Sequence, residues 1–194
     1  MSHLTGEESH QSNDVSAIWR RLDTPGHDAA LVTANGDGWM LIGSAVFRQN
    51  NDAVCVRYTV DLDNSWATRC GHIEGFAGSR TFAYEFLRAA EGWYLDGRLI
   101  DGLGHLAHLD YGFTPATNFQ QLKSLALAPG QAADLTAVWF DIDADTLITL
   151  PQHYARRSAT TYWYSAPHFS YEALLEVSPN GFVRSYPGLW EMEG

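Results

Sequence analysis

Apolar and polar side chains change places at every second residue through much of this chain, and that period constrains the fold more than any other feature. Val54, Val56, Tyr58, Val60 and Leu62 alternate with Cys55, Arg57, Thr59 and Asp61. Successive side chains of a strand point to opposite faces, so this stretch predicts a strand with one buried face. The same reading predicts strands at Trp39–Arg48, Trp66–Phe76, Thr81–Arg88, Gly92–Leu95, Leu135–Ile142, Leu147–Ala155, Thr160–Ser165, Phe169–Val177 and Phe182–Tyr186. Asn35-Gly36-Asp37-Gly38, Asp96-Gly97, Asp101-Gly102, Pro129-Gly130 and Pro179-Asn180-Gly181 punctuate them as turns.

Helical spacing is scarce. Val15–Leu22 fits a short helix, and Pro115–Leu122 fits another behind a Thr114 cap, with proline at the first helical position. A nearly all-β chain of the barrel, roll or sandwich group follows, with one or two short helices. No linker or composition shift divides it, so one domain is expected over 14–194, after a polar, flexible tail at 1–13.

Twelve basic against 23 acidic residues give a formal charge of -11. Lys123 is the only lysine, and the longest basic runs are the pairs Arg20-Arg21 and Arg156-Arg157. Nucleic acid is thus excluded as a partner for want of a basic face, and stable membrane anchoring by a polybasic patch fails for the same reason. No secretory signal and no membrane-spanning apolar run is present, and a cytoplasmic location is expected. Cys55 and Cys70 are too few for a disulfide framework and are expected to be buried free thiols.

Motifs for chemistry are few. Gly102-Leu103-Gly104-His105-Leu106-Ala107 matches a dinucleotide fingerprint, but Asp110-Tyr111-Gly112-Phe113-Thr114-Pro115 cuts off the helix that fingerprint needs. His105, His108 and Asp110 have metal-ligand character, yet on a strand His105 points away from the other two, so no metal and no cofactor is expected. In Trp66-Ala67-Thr68-Arg69 the strand period puts Trp66, Thr68 and Cys70 on one face and Arg69 on the other, between Ala67 and Gly71. There Arg69 has room to hold an anionic group, to stack on a ring, or to pair structurally with Asp61 or Asp110. Seven Trp, nine Tyr and nine Phe complete the inventory. Rings with polar tips lining a cavity suit a ligand that is part sugar and part hydrocarbon.

Several of these segments occur together in an order that resembles one known family. They are Thr24-Pro25-Gly26-His27-Asp28, Asp37-Gly38-Trp39, Trp66-Ala67-Thr68-Arg69, Gly92-Trp93-Tyr94-Leu95-Asp96-Gly97, Phe113-Thr114-Pro115-Ala116-Thr117-Asn118, Tyr162-Trp163-Tyr164 and Tyr186-Pro187-Gly188-Leu189-Trp190. The chain is similar, from about residue 17 to 191, to the bacterial family described as putative glycolipid-binding, formerly a domain of unknown function. The resemblance implies an antiparallel spiral β-roll and a likeness to carriers that hold acyl chains in an apolar hollow. Asp28 stands where the family tends to have Glu, and Lys123-Ser124 stand where it tends to have two arginines.

Three functions are open at this point. The leading one is a binding protein that holds an amphipathic, acylated or glycosylated ligand without catalysis. Trp66, Trp139, Tyr154 and Tyr164 are its expected cavity walls and Arg69, Asp110 and Asn118 its polar anchors, with Thr114 and Gln152 as second choices. Trp19, Trp39, Trp93 and Trp190 are expected to fasten the roll. The second is an enzyme using Arg69 with Asp110 or His105. The third is an interaction module, a homodimer formed through exposed rings.

Overall fold

The structure, a computed structural model, describes residues 14–144 and 146–194, so the expected tail at 1–13 lies outside the described residues. Alternation along the chain becomes a meander in which β1 (Val15–Arg21), β2 (Gly26–Asn35), β3 (Gly38–Gln49), β4 (Asp52–Leu62), β5 (Thr68–Ala77), β6 (Arg80–Ala89), β7 (Gly92–Leu95) and β8 (Arg98–Ile100) each pair with the next. β9 (Leu109–Tyr111) and the helix α1 (Asn118–Leu125) lead into a second meander. It comprises β10 (Ala132–Phe140), β11 (Ile148–Arg156), β12 (Thr161–Ala166), β13 (Tyr171–Val177), β14 (Val183–Tyr186) and β15 (Trp190–Met192). β15 pairs with β1, which makes the two meanders one sheet of 15 strands among the described residues, with β8 and β9 at its edges.

Every neighbouring pair is antiparallel except β9 and β10, which run parallel. A sheet this wide must curl, because adjacent strands are twisted relative to one another. It does not close into a barrel. Instead the β9 edge turns into the curl. Tyr111 and Phe140 pack on Phe86 with ring centroids at 5.5 and 5.0 Å, and the Tyr111 hydroxyl donates to the Thr59 carbonyl at 3.3 Å. One edge is thereby covered by the sheet's own inner face, which yields a spiral roll and protects a row of unpaired backbone groups.

Glycine is required at two positions for different reasons, a close cross-strand approach and a tight turn. Gly43 sits opposite Tyr58, and a Cβ placed on it would come within 2.1 Å of the phenol ring. Asp96 and Gly97 join β7 to β8 with φ of 50° and 75°, as a two-residue hairpin turn requires.

The structure corrects several expectations. Val15–Leu22 is not a helix: β1 occupies it, with Trp19 fully buried and donating its indole N–H to the Val183 carbonyl at 2.7 Å. β2 escapes a periodicity reading because its inward row is Asp28, Ala30 and Val32, a carboxyl and a small residue where large apolar ones would announce a strand. α1 begins at Asn118, not Pro115, because Thr114 caps a turn of its own by accepting the Ala116 N–H at 3.0 Å. In β5 the register slips where Asp61 faces Cys70 and Leu62 faces Thr68. Arg69 is the extra residue of that bulge, so Thr68 turns inward while Cys70 points outward and is exposed rather than buried.

Candidate functional site

Trp66 and Arg69 belong to one end of the first meander. Asp63 shapes the loop before β5, its Oδ1 accepting the backbone N–H groups of Ser65 and Ala67 at 2.8 and 3.0 Å. That loop holds Trp66 at φ 70°, a conformation rarely adopted by a bulky side chain, and its indole lies parallel to that of Trp39, 4.7 Å away and inclined by 11°. Arg69 pairs with Asp37 at 2.6 Å and with Asp61 at 3.3 Å, while Asn35 donates to the other Asp61 oxygen at 2.8 Å. The arginine thus ties the turn between β2 and β3 to the end of β4. Its sequence-level alternatives resolve to Asp61, not Asp110.

Asp110 and Asn118 are held deep in the second half. The Asp110 carboxylate accepts the Thr117 hydroxyl at 2.6 Å and the Gln152 amide at 2.7 Å. Asn118, the first residue of α1, donates to the Tyr154 hydroxyl at 2.8 Å. That hydroxyl lies 2.7 Å from Oε1 of Gln121 and 2.6 Å from Oε1 of Gln152, either of which takes its single proton. Burial raises the Asp110 carboxyl above its ordinary range, opposed by the hydrogen bonds it accepts. α1 is buried along Asn118–Leu122 because Asn118 and Gln121 join this network and Gln120 donates to the Leu109 carbonyl, which also explains why no apolar stripe marks it as a helix.

A second buried carboxyl lies behind the first turn of that segment. Asp28 on β2 is 1% exposed and has both oxygens 3.0 Å from the Tyr58 hydroxyl, while the Thr114 hydroxyl donates to it as well. Burial pushes its pKa up to about 7 against those stabilising bonds. Asp28 therefore anchors the loop from Gly112 to Thr117 to the first meander.

Between this loop and the inner face of β10–β15 lies a cavity of about 330 Å³. Trp139, Tyr164, Tyr171 and Tyr186 are ring-bearing walls, and Asp110, Thr114, Asn118 and Asp141 supply polar atoms. The rings support one another: Tyr164 and Tyr186 meet edge to face at 5.6 Å, and Phe169 covers Trp139 at 5.1 Å. Gly112 passes so close that a Cβ there would lie 2.6 Å from both Trp139 and an Asp141 oxygen. A larger, open depression of about 970 Å³ lies on the outer face of β1–β5, over Ala29, Leu31, Ile42 and Ser44. It has no comparable set of ring walls.

Of the expected site residues, the cavity brings together Asp110, Asn118, Trp139 and Tyr164, with the second-choice Thr114. Tyr154 stands behind it, positioning Asn118, and Gln152 does the same for Asp110. Trp66 and Arg69 do not line it, and His105 is exposed on the loop before β9. The tryptophans exchange roles: Trp66 stacks on Trp39 as a fastening pair, whereas Trp190, expected to fasten, lines the cavity. Trp93 does fasten, donating its indole N–H to the Leu106 carbonyl at 3.0 Å. Tyr171, Tyr186 and Asp141 were missed. Tyr186 lies within the closing Tyr-Pro-Gly-Leu-Trp motif and so carried a signal; an aspartate just after a strand carries none.

No match was found among curated proteins. The fold is similar to the crystal structure of a DUF1089 family protein from Pseudomonas aeruginosa, with a TM-score of 0.72, 21% identity and 98% of each chain covered. With the roll and its ring-lined cavity goes a match over residues 16–192, and the chain belongs to the family described as putative glycolipid-binding.

Proposed function

We propose that the protein is a non-catalytic binder of a small amphipathic molecule, with a glycosyl head seated in the ring-lined cavity and the apolar part leaving through its mouth. The observation that carries this is the pairing of flat walls with buried acceptors: Trp139, Tyr164, Tyr171 and Tyr186 around Asp110, Thr114 and Asn118. Sugar rings offer C–H faces to aromatic walls and hydroxyls to carboxylates and amides, and each such group is prepaid in position by the network behind it. The volume of about 330 Å³ matches a head rather than a long acyl chain. The family's description points the same way.

Isothermal titration with alkyl glycosides, together with native mass spectrometry of protein purified without detergent, tests the reading. Saturable binding that Trp139→Ala weakens about tenfold, or 1.4 kcal/mol, is expected. A protein that carries no lipid and gives no saturable heat with any alkyl glycoside overturns it.

A further inference from the structure

The charge of the cavity walls narrows the ligand class, and this step rests on the binding reading above. Among the described residues two aspartates line the cavity, while no Arg, Lys or His does. Asp110 is deeply buried, with its oxygens engaged by Thr117 and Gln152. Asp141 is different. Its Oδ1 accepts the Ile142 N–H at 2.6 Å, and its Oδ2 faces Gly112 beside the Trp139 indole. Two guanidiniums lie in its neighbourhood and both are engaged: Arg21, which acts on Asp141 through space, is paired with Asp23 at 2.7 Å and packed over the rings of Phe47 and Trp190, and Arg80 donates to the Ile142 carbonyl at 2.9 Å and pairs with Asp143 at 3.6 Å.

We infer that the head held in this cavity carries a protonated amine, seated against the Asp141 carboxylate and the faces of Trp139 and Tyr171. A carboxylate shielded from water without a counter-charge is costly, and a ligand ammonium against the free Asp141 oxygen removes that cost. Ring faces add to it, because the negative face of an aromatic ring attracts a cation, more strongly where water is excluded. Burial raises both carboxyls above their ordinary range, joined at Asp141 by the neighbouring charge of Asp143 and opposed there by the Ile142 N–H and Arg21. An anionic head, phosphate or carboxylate, would face two aspartates and no cationic side chain among the described lining residues.

Four probes with the same alkyl chain separate the possibilities: a neutral glucoside, a cationic glucosaminide, a simple alkylammonium and an anionic glucuronide, each titrated into wild type and Asp141→Asn. The asparagine keeps an oxygen for the Ile142 N–H, and a melting curve confirms that the variant folds. Glucosaminide binding about tenfold or more tighter than the glucoside, with the gap closed in Asp141→Asn, is the expected result. An alkylammonium that equals the glucosaminide supports the amine and removes the sugar from the proposed function. Equal binding of neutral and cationic sugars, or preference for the glucuronide, overturns the amine inference and leaves the glycosyl reading standing. Failure of all four overturns both.

Discussion

Replacing Asp28 by asparagine tests whether a carboxyl sealed between the two halves of the roll is neutral in the mildly acidic protein. With a folded pKa of about 7 against 3.8 for the free side chain, the folded state binds the proton more tightly than the unfolded state does. Stability contributed by the neutral form is therefore fully present at and below pH 3.8 and is lost as pH rises through 7. Integrating that linkage between pH 5 and pH 8 gives a loss of roughly 3 kcal/mol from this one group. His108, whose pKa burial lowers, acts with the opposite sign, losing stability as pH falls through its own range, so the wild-type slope alone does not isolate Asp28. The difference between wild type and variant does. Urea unfolding at both pH values should show the Asp28→Asn protein less sensitive to the change by roughly 3 kcal/mol. It should also gain on the wild type at pH 8, where the aspartate is ionised and buried beside Tyr58 and Thr114. A variant that keeps the wild-type pH dependence, or a carboxyl signal for Asp28 that titrates near pH 4 by NMR, refutes the reasoning.

Other substitutions probe the roll and the cavity separately. Gly43→Ala places a Cβ 2.1 Å from the Tyr58 ring and should destabilise by about 1–3 kcal/mol or more in chemical denaturation. Trp19→Phe leaves the Val183 carbonyl without its indole donor and opens space on Phe182, and a loss of about 2–3 kcal/mol is expected by the same assay. Gly112→Ala pushes on Trp139 and Asp141, so alkyl glycoside binding should fall about tenfold or more by calorimetry. Arg69→Lys should leave that affinity unchanged, because Arg69 bonds to Asp37 and Asp61 away from the cavity.

The long strands were legible because a large apolar residue returned at every second position, as in β4. Where the inward row held Asp28 or Ala30, the same geometry left no trace, and β8, β9 and β15 are three residues each, too short for a period to register. The helix was visible through the proline three residues ahead of it, while its buried glutamines only make sense once the Leu109 carbonyl and Tyr154 are beside them. Half the site followed the same division. Of the expected residues that line the cavity, Asn118 and Tyr164 sit in the recognisable segments, but Trp66 and Arg69 shared that advantage and serve the turns. The bulge that turns Arg69 aside is a matter of register between two strands, and one strand's sequence does not contain it.

The pairing of β1 with β15 has a consequence for the order in which the molecule can be assembled. Trp19 meets Met192 and Arg21 meets Trp190 across a seam in the middle of the sheet, where two segments more than 160 residues apart in the chain lie side by side. Each meander can form from neighbours as the chain is made, but the seam needs both ends at once, and such distant contacts are the slow ones. On a ribosome, the first meander would wait with β1 as an open edge, bearing Ile18 and Arg20 outward, until residues 190–192 emerge. Loss of Trp190–Met192 would leave every other strand intact and open that seam, so that the halves would be held by contacts such as the Trp19–Val183 bond, the Asp28–Thr114 contact and the inturned β9 edge.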